Sequence, residues 1–302
     1  MQCNNDDLGN VTSGENATTL AHLPPFFNLD TYIRQVLKYK TAVCQIPKNM
    51  STVITAIFCF LYDSQSFRRS NRTIGTELFF GRFCEHKNEH LSVGSLVQET
   101  NTTLNEWIML LIVRDPLDRF ISGFLDKCVL NTIGKNIKDN CYGCGKDIAC
   151  VLKMLYDHAL LFVTTPEEER RNVINIEDYH FFPQNWFCSM GQHKSNYKIL
   201  KYQSDKAGKA ATLQEIFNIF KERNVPQDEI TAVMSQTAVY NNHTTVNTYD
   251  REFYHDIITS RSDLLQLVHK IYYHDYELFG YEFNYTDIRE EMLRRPSKKQ
   301  DC

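Results

Sequence analysis

The sequence predicts an α/β fold, a P-loop-like parallel sheet flanked by helices. Three observations point that way. Residues 41–46 and 107–113 are short apolar runs that read as buried strands. Each run leads directly into a helix-opening signal. Both junctions also carry a cation and hydroxyls, at the place where free backbone N–H groups and the helix dipole attract anions. Strand, anion signal and helix in that order argue a sheet whose ligand edge lies at the strand C-termini.

Residues 1–24 are polar and carry two glycosylation sequons, so they read as a flexible lead-in that ends at Pro24-Pro25. Residues 25–302 then read as a single domain. After strand 41–46, Ser51–Tyr62 reads as a mostly apolar helix with Ser51 or Thr52 near its N-cap. Residues 64–106 are mixed and polar, suited to short helices and loops. The run 107–113 ends abruptly at Arg114. Asp115 is placed as an N-cap with Pro116 at the first helical position, and this helix is expected to reach about Leu130. Gly, Asn, Lys and Cys mark 131–145 as a loop. Leu152, Leu155, Tyr156 and Ala159 give helical spacing over 148–162, and Thr164 to Glu167 carries a second helix-start signal. Tyr197–Tyr202 alternates as a strand. Residues 212–223 and Ser262–Phe279 read as amphipathic helices, each opened by a Ser or Thr cap. No internal repeat or low-complexity tract is present.

The chain has 302 residues, 42% of them hydrophobic and 12% aromatic, which suits a globular core. A formal net charge of −4 gives no reason to expect nucleic acid as a partner. Local basic groups exist at Arg68, Arg69 and Arg72, at Lys135, Lys138 and Lys146, and at Lys194, Lys198 and Lys201; each also reads as a solvated face. No apolar stretch is long enough to span a membrane, and the polar, acidic start does not read as a signal peptide. The chain fits either a lumenal portion of a longer protein or a soluble protein. Ten cysteines favour disulfides in an oxidising compartment. Cys141 and Cys144 have zinc-ligand spacing, but no matching second pair exists, so no metal is expected. Sequons at Asn10, Asn16, Asn49, Asn71, Asn101, Asn242 and Asn284 also suit a glycoprotein. Asn49 lies inside the first anion loop and is expected to stay unmodified.

In the first junction Lys48 precedes Asn49, Met50, Ser51 and Thr52 at the start of the helix. This is not a Walker A loop, because its glycines and its Lys-Ser/Thr step are missing. The N–H groups near Met50 to Val53 are placed to cradle a phosphate, and Lys48 to reach a terminal or bridging oxygen. In the second junction Arg114 ends a strand and Ser122 follows eight residues later, with Arg119 between them. A guanidinium and a hydroxyl can grip a second phosphate. Two such junctions suit a nucleotide phosphorylated at both ends.

Together the two segments resemble the donor site of sulfotransferases that use 3′-phosphoadenosine-5′-phosphosulfate (PAPS), most closely the divergent nematode-type members of the Golgi carbohydrate sulfotransferases. Pro47, Lys48, Ser51 and Thr52 match a P-K-x-G-[ST]-[ST] pattern. Arg114, Asp115, Pro116, Arg119, Ser122 and Phe124 match R-[DN]-P-x-x-R-x-x-S-x-[FY], and Asp126-Lys127 resembles the carbohydrate branch. Asp178 to Gln184, with Cys188 and Tyr197–Tyr202, is similar to an H-W-x-P-Q…C…Y-D-F-I-G-K segment. The stretch 271–281 is similar to a closing Y-x-x-D-F-x-L-F-G-Y helix. One departure stands out: Met50 replaces the loop glycine, and Met reaches positive φ less easily.

The resemblance implies a sulfotransferase-like fold and a PAPS-dependent carbohydrate O-sulfotransferase of the Golgi lumen or secretory pathway. The implied acceptor is a glycan, such as chondroitin or another glycosaminoglycan. Lys48, Asn49, Met50, Ser51, Thr52, Arg114 and Ser122 would bind the donor. Lys48 and His180 would be catalytic, with Glu77, Glu177 and Asp178 as fallback bases. Two other classes remain open at this level, a catalytically silent PAPS- or carbohydrate-binding relative and a nucleotide-using kinase.

Overall fold

The computed structural model describes residues 22–29, 31–77, 80–131, 134, 140–238 and 249–283. Most of the lead-in, the sequons at Asn10, Asn16, Asn242 and Asn284, and the candidate cations Lys135 and Lys138 lie outside the described residues. The strands are β1 (Ile33–Val36), β2 (Thr41–Cys44), β3 (Glu89–His90), β4 (Ile108–Arg114) and β5 (Tyr197–Tyr202). The helices are α1 (Ser51–Tyr62), α2 (Ser64–Arg69), α3 (Val93–Glu99), α4 (Pro116–Phe124), α5 (Ile148–Thr164), α6 (Arg170–Val173), α7 (Asp178–Phe181), α8 (Met190–His193), α9 (Lys206–Glu222), α10 (Gln227–Ala238), α11 (Tyr249–Thr259) and α12 (Ser262–Phe279).

The five strands form one sheet in the order β3-β1-β2-β4-β5. The expectation of a parallel sheet holds for β2, β4 and β5 and is corrected at the edge, where β1 pairs antiparallel with both β2 and β3. Strand β1 escapes an apolar-run search because Arg34 and Gln35 are buried within it. Arg34 is paired with Glu89 of β3 in an ion pair and donates from Nε to the Gln45 amide oxygen at 2.9 Å.

Side chains of the central strands alternate between two cores, as a sheet covered on both faces requires. Ala42, Cys44, Met109, Leu111 and Val113 face the layer that contains α4, α5 and α12. Val43, Leu110, Ile112 and Leu200 face the layer that contains α1 and α9. Asp115 caps α4 as expected, accepting from the Asp118 amide at 2.8 Å, with Pro116 at the first position. This helix runs on as a π turn, Leu125–Val129. Helix α9 opens earlier than the sequence suggested. Its cap is Asp205, whose carboxylate accepts from the Gly208 amide, whereas Thr212 spends its hydroxyl on the Gly208 carbonyl inside the helix. Helix α12 begins at Ser262 but is capped by neither hydroxyl nor carboxylate, its N-cap being Arg261.

Four disulfides tie this frame: Cys44–Cys188, Cys59–Cys84, Cys128–Cys141 and Cys144–Cys150. Cys141 and Cys144 therefore belong to two different bridges, and no metal-ligating cluster occurs among the described residues. Cys44–Cys188 fastens the end of β2, just before the Lys48 loop, to the segment that follows Gln184.

Candidate functional site

The site forms where β2 and β4, adjacent and parallel, end side by side. The chain leaves β2 through Pro47, turns at Lys48 (φ 72) and again at Met50 (φ 57, ψ 17), and enters α1. Met50 thus takes the left-handed conformation that a glycine would supply, and it serves as the N-cap in place of Ser51 or Thr52. Its buried side chain packs in the α1 core, and that contact offsets a backbone cost of about 1–2 kcal/mol.

Asn49 anchors the turn from below. Its side-chain amide donates to the Ile112 carbonyl at 2.8 Å and to the Gln184 amide oxygen at 2.7 Å, all buried. Gln184 continues the network by accepting the Arg114 amide at 3.0 Å and donating to the Arg114 carbonyl at 2.8 Å. Its own backbone N–H donates to Asp275 of α12 at 2.7 Å, and Asp275 also accepts both N–H groups of Asn185. Burial raises the Asp275 carboxyl above its ordinary value even against these donors. The Asn49 nitrogen is therefore fully used inside the protein, which agrees with an unglycosylated sequon. Gln184 and Asp275 were not among the expected site residues, although both lie inside stretches that matched family patterns.

The second junction is clamped to the first. Arg114 donates to the Lys48 carbonyl at 2.9 Å and to Asp118 at 2.6 Å, and it reaches the Ser204 hydroxyl beyond β5. Arg119, fully buried, donates to the carbonyls of Pro47, Phe182 and Tyr179 at 3.0, 2.8 and 3.3 Å. Burial brings each guanidinium down to about 10. Ser122 is buried on the face of α4 one turn beyond Asp118.

A charged cluster sits beside the Lys48 loop. The Lys48 ammonium lies 2.9 Å from Asp126, which also pairs with Lys127 at 3.0 Å. Burial lowers the Lys48 pKa, and Asp126 opposes that shift. Burial alone would raise Asp126, but Lys48 and Lys127 outweigh it and hold the carboxyl well below the usual range. His180 borders this group. Burial first, then Lys127 and Lys48, push its imidazole well below 6.5, so the ring is neutral at neutral pH. Its Nδ1 has no hydrogen-bond partner among the described residues. Gly123 brings α4 against α7, since a Cβ there would meet Phe181 Cε1 at 3.0 Å and the His180 carbonyl at 3.1 Å.

The fallback bases are engaged elsewhere. Glu77 accepts from Arg72 at 2.7 Å and from the Phe83 amide at 2.9 Å. Asp178 accepts from Tyr142, His158 and the Asn175 amide. Glu177 is buried before α7.

A family model described as "Sulfotransferase family" matches residues 33–282. The chain is similar to the Caenorhabditis elegans protein "Carbohydrate sulfotransferase chst-1", with 29% identity over 269 residues, 88% of this chain and 80% of that protein. An uncharacterized protein of the same organism is 29% identical over 263 residues, 85% of this chain and 71% of the relative. A third relative from that organism, vep-2, is 31% identical over 228 residues, 74% of this chain and 68% of its own. No solved structure matches. Both strand-to-helix junctions and the Gln184–Asp275 network lie within the matched span, and the chain belongs to the Sulfotransferase family.

Proposed function

We propose that this protein transfers a sulfuryl group from PAPS to a carbohydrate hydroxyl. One observation carries the reading. The Lys48 loop and the Arg114 junction are locked edge to edge, by Arg114 to the Lys48 carbonyl at 2.9 Å and by Arg119 to the Pro47 carbonyl at 3.0 Å. A ligand with phosphates at both ends suits that pair. The N–H groups at the start of α1, with Ser51 and Thr52, hold the 5′-phosphate. Arg114 and Ser122 hold the 3′-phosphate and exclude ATP.

The acceptor oxygen attacks sulfur in line, and the bond from sulfur to the bridging phosphate oxygen breaks. The acceptor proton passes to the neutral imidazole of His180. Lys48 stabilises the charge that develops on the departing 5′-phosphate of adenosine 3′,5′-bisphosphate. As in phosphoryl transfer, positioning and electrostatics do most of the work. The left-handed turn at Met50 supports a functioning donor loop without glycine. Four disulfides support an oxidising, secretory-pathway location such as the Golgi lumen. A glycosaminoglycan is the acceptor class we favour, because a relative is named a carbohydrate sulfotransferase and the cluster beside His180 sets two lysines, Lys48 and Lys127, against one carboxylate, Asp126.

Calorimetric titration with adenosine 3′,5′-bisphosphate, against ADP, tests the donor assignment. Selective binding that both Lys48→Ala and Arg114→Ala weaken is the expected result. A preference for ADP, or no binding, overturns it.

A further inference from the structure

Helix α11 brings a second guanidinium to the Arg114 junction. Arg251, in its first turn, forms an ion pair with one oxygen of Asp118, while the other oxygen accepts from Arg114 Nε at 2.6 Å. The Ser204 hydroxyl donates to that same second oxygen. One carboxylate is therefore gripped by two guanidinium groups and a hydroxyl. That set of donors fits a phosphate dianion better than a carboxylate, because a phosphate offers three acceptor oxygens and more charge.

Two further observations extend the point. Arg251 Nη1 is buried and has no hydrogen-bond partner among the described residues. Three of the five N–H groups of Arg114 go to Asp118, Lys48 and Ser204, which leaves donors over. The helix is also seated firmly enough to aim the side chain. Tyr254 packs edge-on against Phe124 of α4 at 4.8 Å, and Ile258 is fully buried.

We propose that Arg251 binds the 3′-phosphate of the donor together with Arg114 and sets the preference for a nucleotide phosphorylated at that position. The proposal rests on the PAPS reading above. Asp118 holds the two guanidinium groups one anion apart, and the arriving phosphate takes over their charge.

The test is calorimetric titration of the whole chain with adenosine 3′,5′-bisphosphate and with adenosine 5′-monophosphate, in wild type, Arg251→Gln, Arg251→Lys and Asp118→Asn. Melting temperatures confirm that each variant is folded. Arg251→Gln should lose roughly 30-fold in affinity for the bisphosphate, or about 2 kcal/mol, and less than about 3-fold for the monophosphate. Arg251→Lys should fall between, because an ammonium keeps the charge but not the fork. Asp118→Asn should leave the 3′-phosphate preference in place. Equal losses on both nucleotides, or no loss, in folded Arg251→Gln overturn the proposal while the donor assignment stands. A loss of preference in Asp118→Asn as large as in Arg251→Gln also overturns it, since Arg251 would then act only through Asp118. A wild type that does not distinguish the two nucleotides overturns both readings.

Discussion

Replacing Asn49 with alanine probes the joint between the two anion junctions. Two buried hydrogen bonds disappear, those at 2.8 Å to the Ile112 carbonyl and at 2.7 Å to Gln184. The two acceptors do not suffer equally. Gln184 Oε1 keeps the Arg114 amide at 3.0 Å, so the Ile112 carbonyl carries most of the loss. An orphaned buried acceptor costs about 1–3 kcal/mol and a lost net hydrogen bond about 1. Against that, the Asn49 Oδ1, buried without a partner among the described residues, is removed as well. The balance is about 2 kcal/mol of destabilisation, or a fall of about 3 °C in melting temperature for a chain of 302 residues. Asn49→Asp should be worse than alanine, because a carboxylate would face two acceptor oxygens with nothing to donate. Scanning calorimetry at neutral pH reads both variants. The reasoning fails if Asn49→Ala melts within a degree of wild type, or if Asn49→Asp is the more stable of the two.

Met50→Gly should keep donor affinity within about 3-fold, since the backbone already holds the left-handed turn, yet lower the melting temperature through the lost core contact and the freer unfolded chain; a large gain in donor affinity would show that Met50 strains the loop. His180 is held neutral to well below pH 6.5, so kcat/KM should stay flat as pH falls through 6.5 and decline only below it. An acid limb centred at 6.5 or above would remove His180 as the base. Asp126→Asn takes away the charge that opposes the lowered Lys48 pKa, so the alkaline limb should move toward neutrality; an unmoved limb would refute a role for the Lys48 ammonium. Gly123→Ala pushes on the His180 carbonyl and Phe181, and should lower kcat by roughly tenfold with donor affinity retained. Unchanged turnover would mean that the α4–α7 approach does not position the base.

Elements with a strong local signal were legible in the sequence. Helix α1 begins and ends where its apolar run does, β5 spans the expected Tyr197–Tyr202 although both its faces are covered, and Asp115-Pro116 marks the start of α4. What stayed hidden depends on pairing across the chain. Strand β1 is half polar, and its Arg34 makes sense only beside Glu89. The supports of the site are polar residues from four separate segments, Asn49, Arg114, Gln184 and Asp275, and buried polar networks carry no periodicity to read. Arg251 is invisible for a related reason. Its meaning comes from Asp118, more than a hundred residues earlier in the chain. The left-handed turn at Met50 runs against residue preference, and it holds because the surrounding contacts over-determine it.

The cations of the site differ in how their burial is compensated, and that difference separates scaffold from binding surface. Arg119 is satisfied by three backbone carbonyls, which are neutral and fixed, so it staples the Lys48 loop to the 179–182 segment and has nothing to exchange. Arg114 and Arg251 share Asp118, and Lys48 takes Asp126. Both carboxylates belong to α4 and its π turn, so one continuous segment supplies the counter-charge at both ends of the site. Buried charges without such partners would be strongly destabilising. On the proposed PAPS reading, a doubly phosphorylated ligand would meet cations already held in place, and binding would exchange internal carboxylates for phosphates instead of building the site anew. Asp118 and Asp126 are similarly shielded, their side chains 25% and 18% exposed, so added salt should weaken such an exchange to a similar degree at both ends of the site.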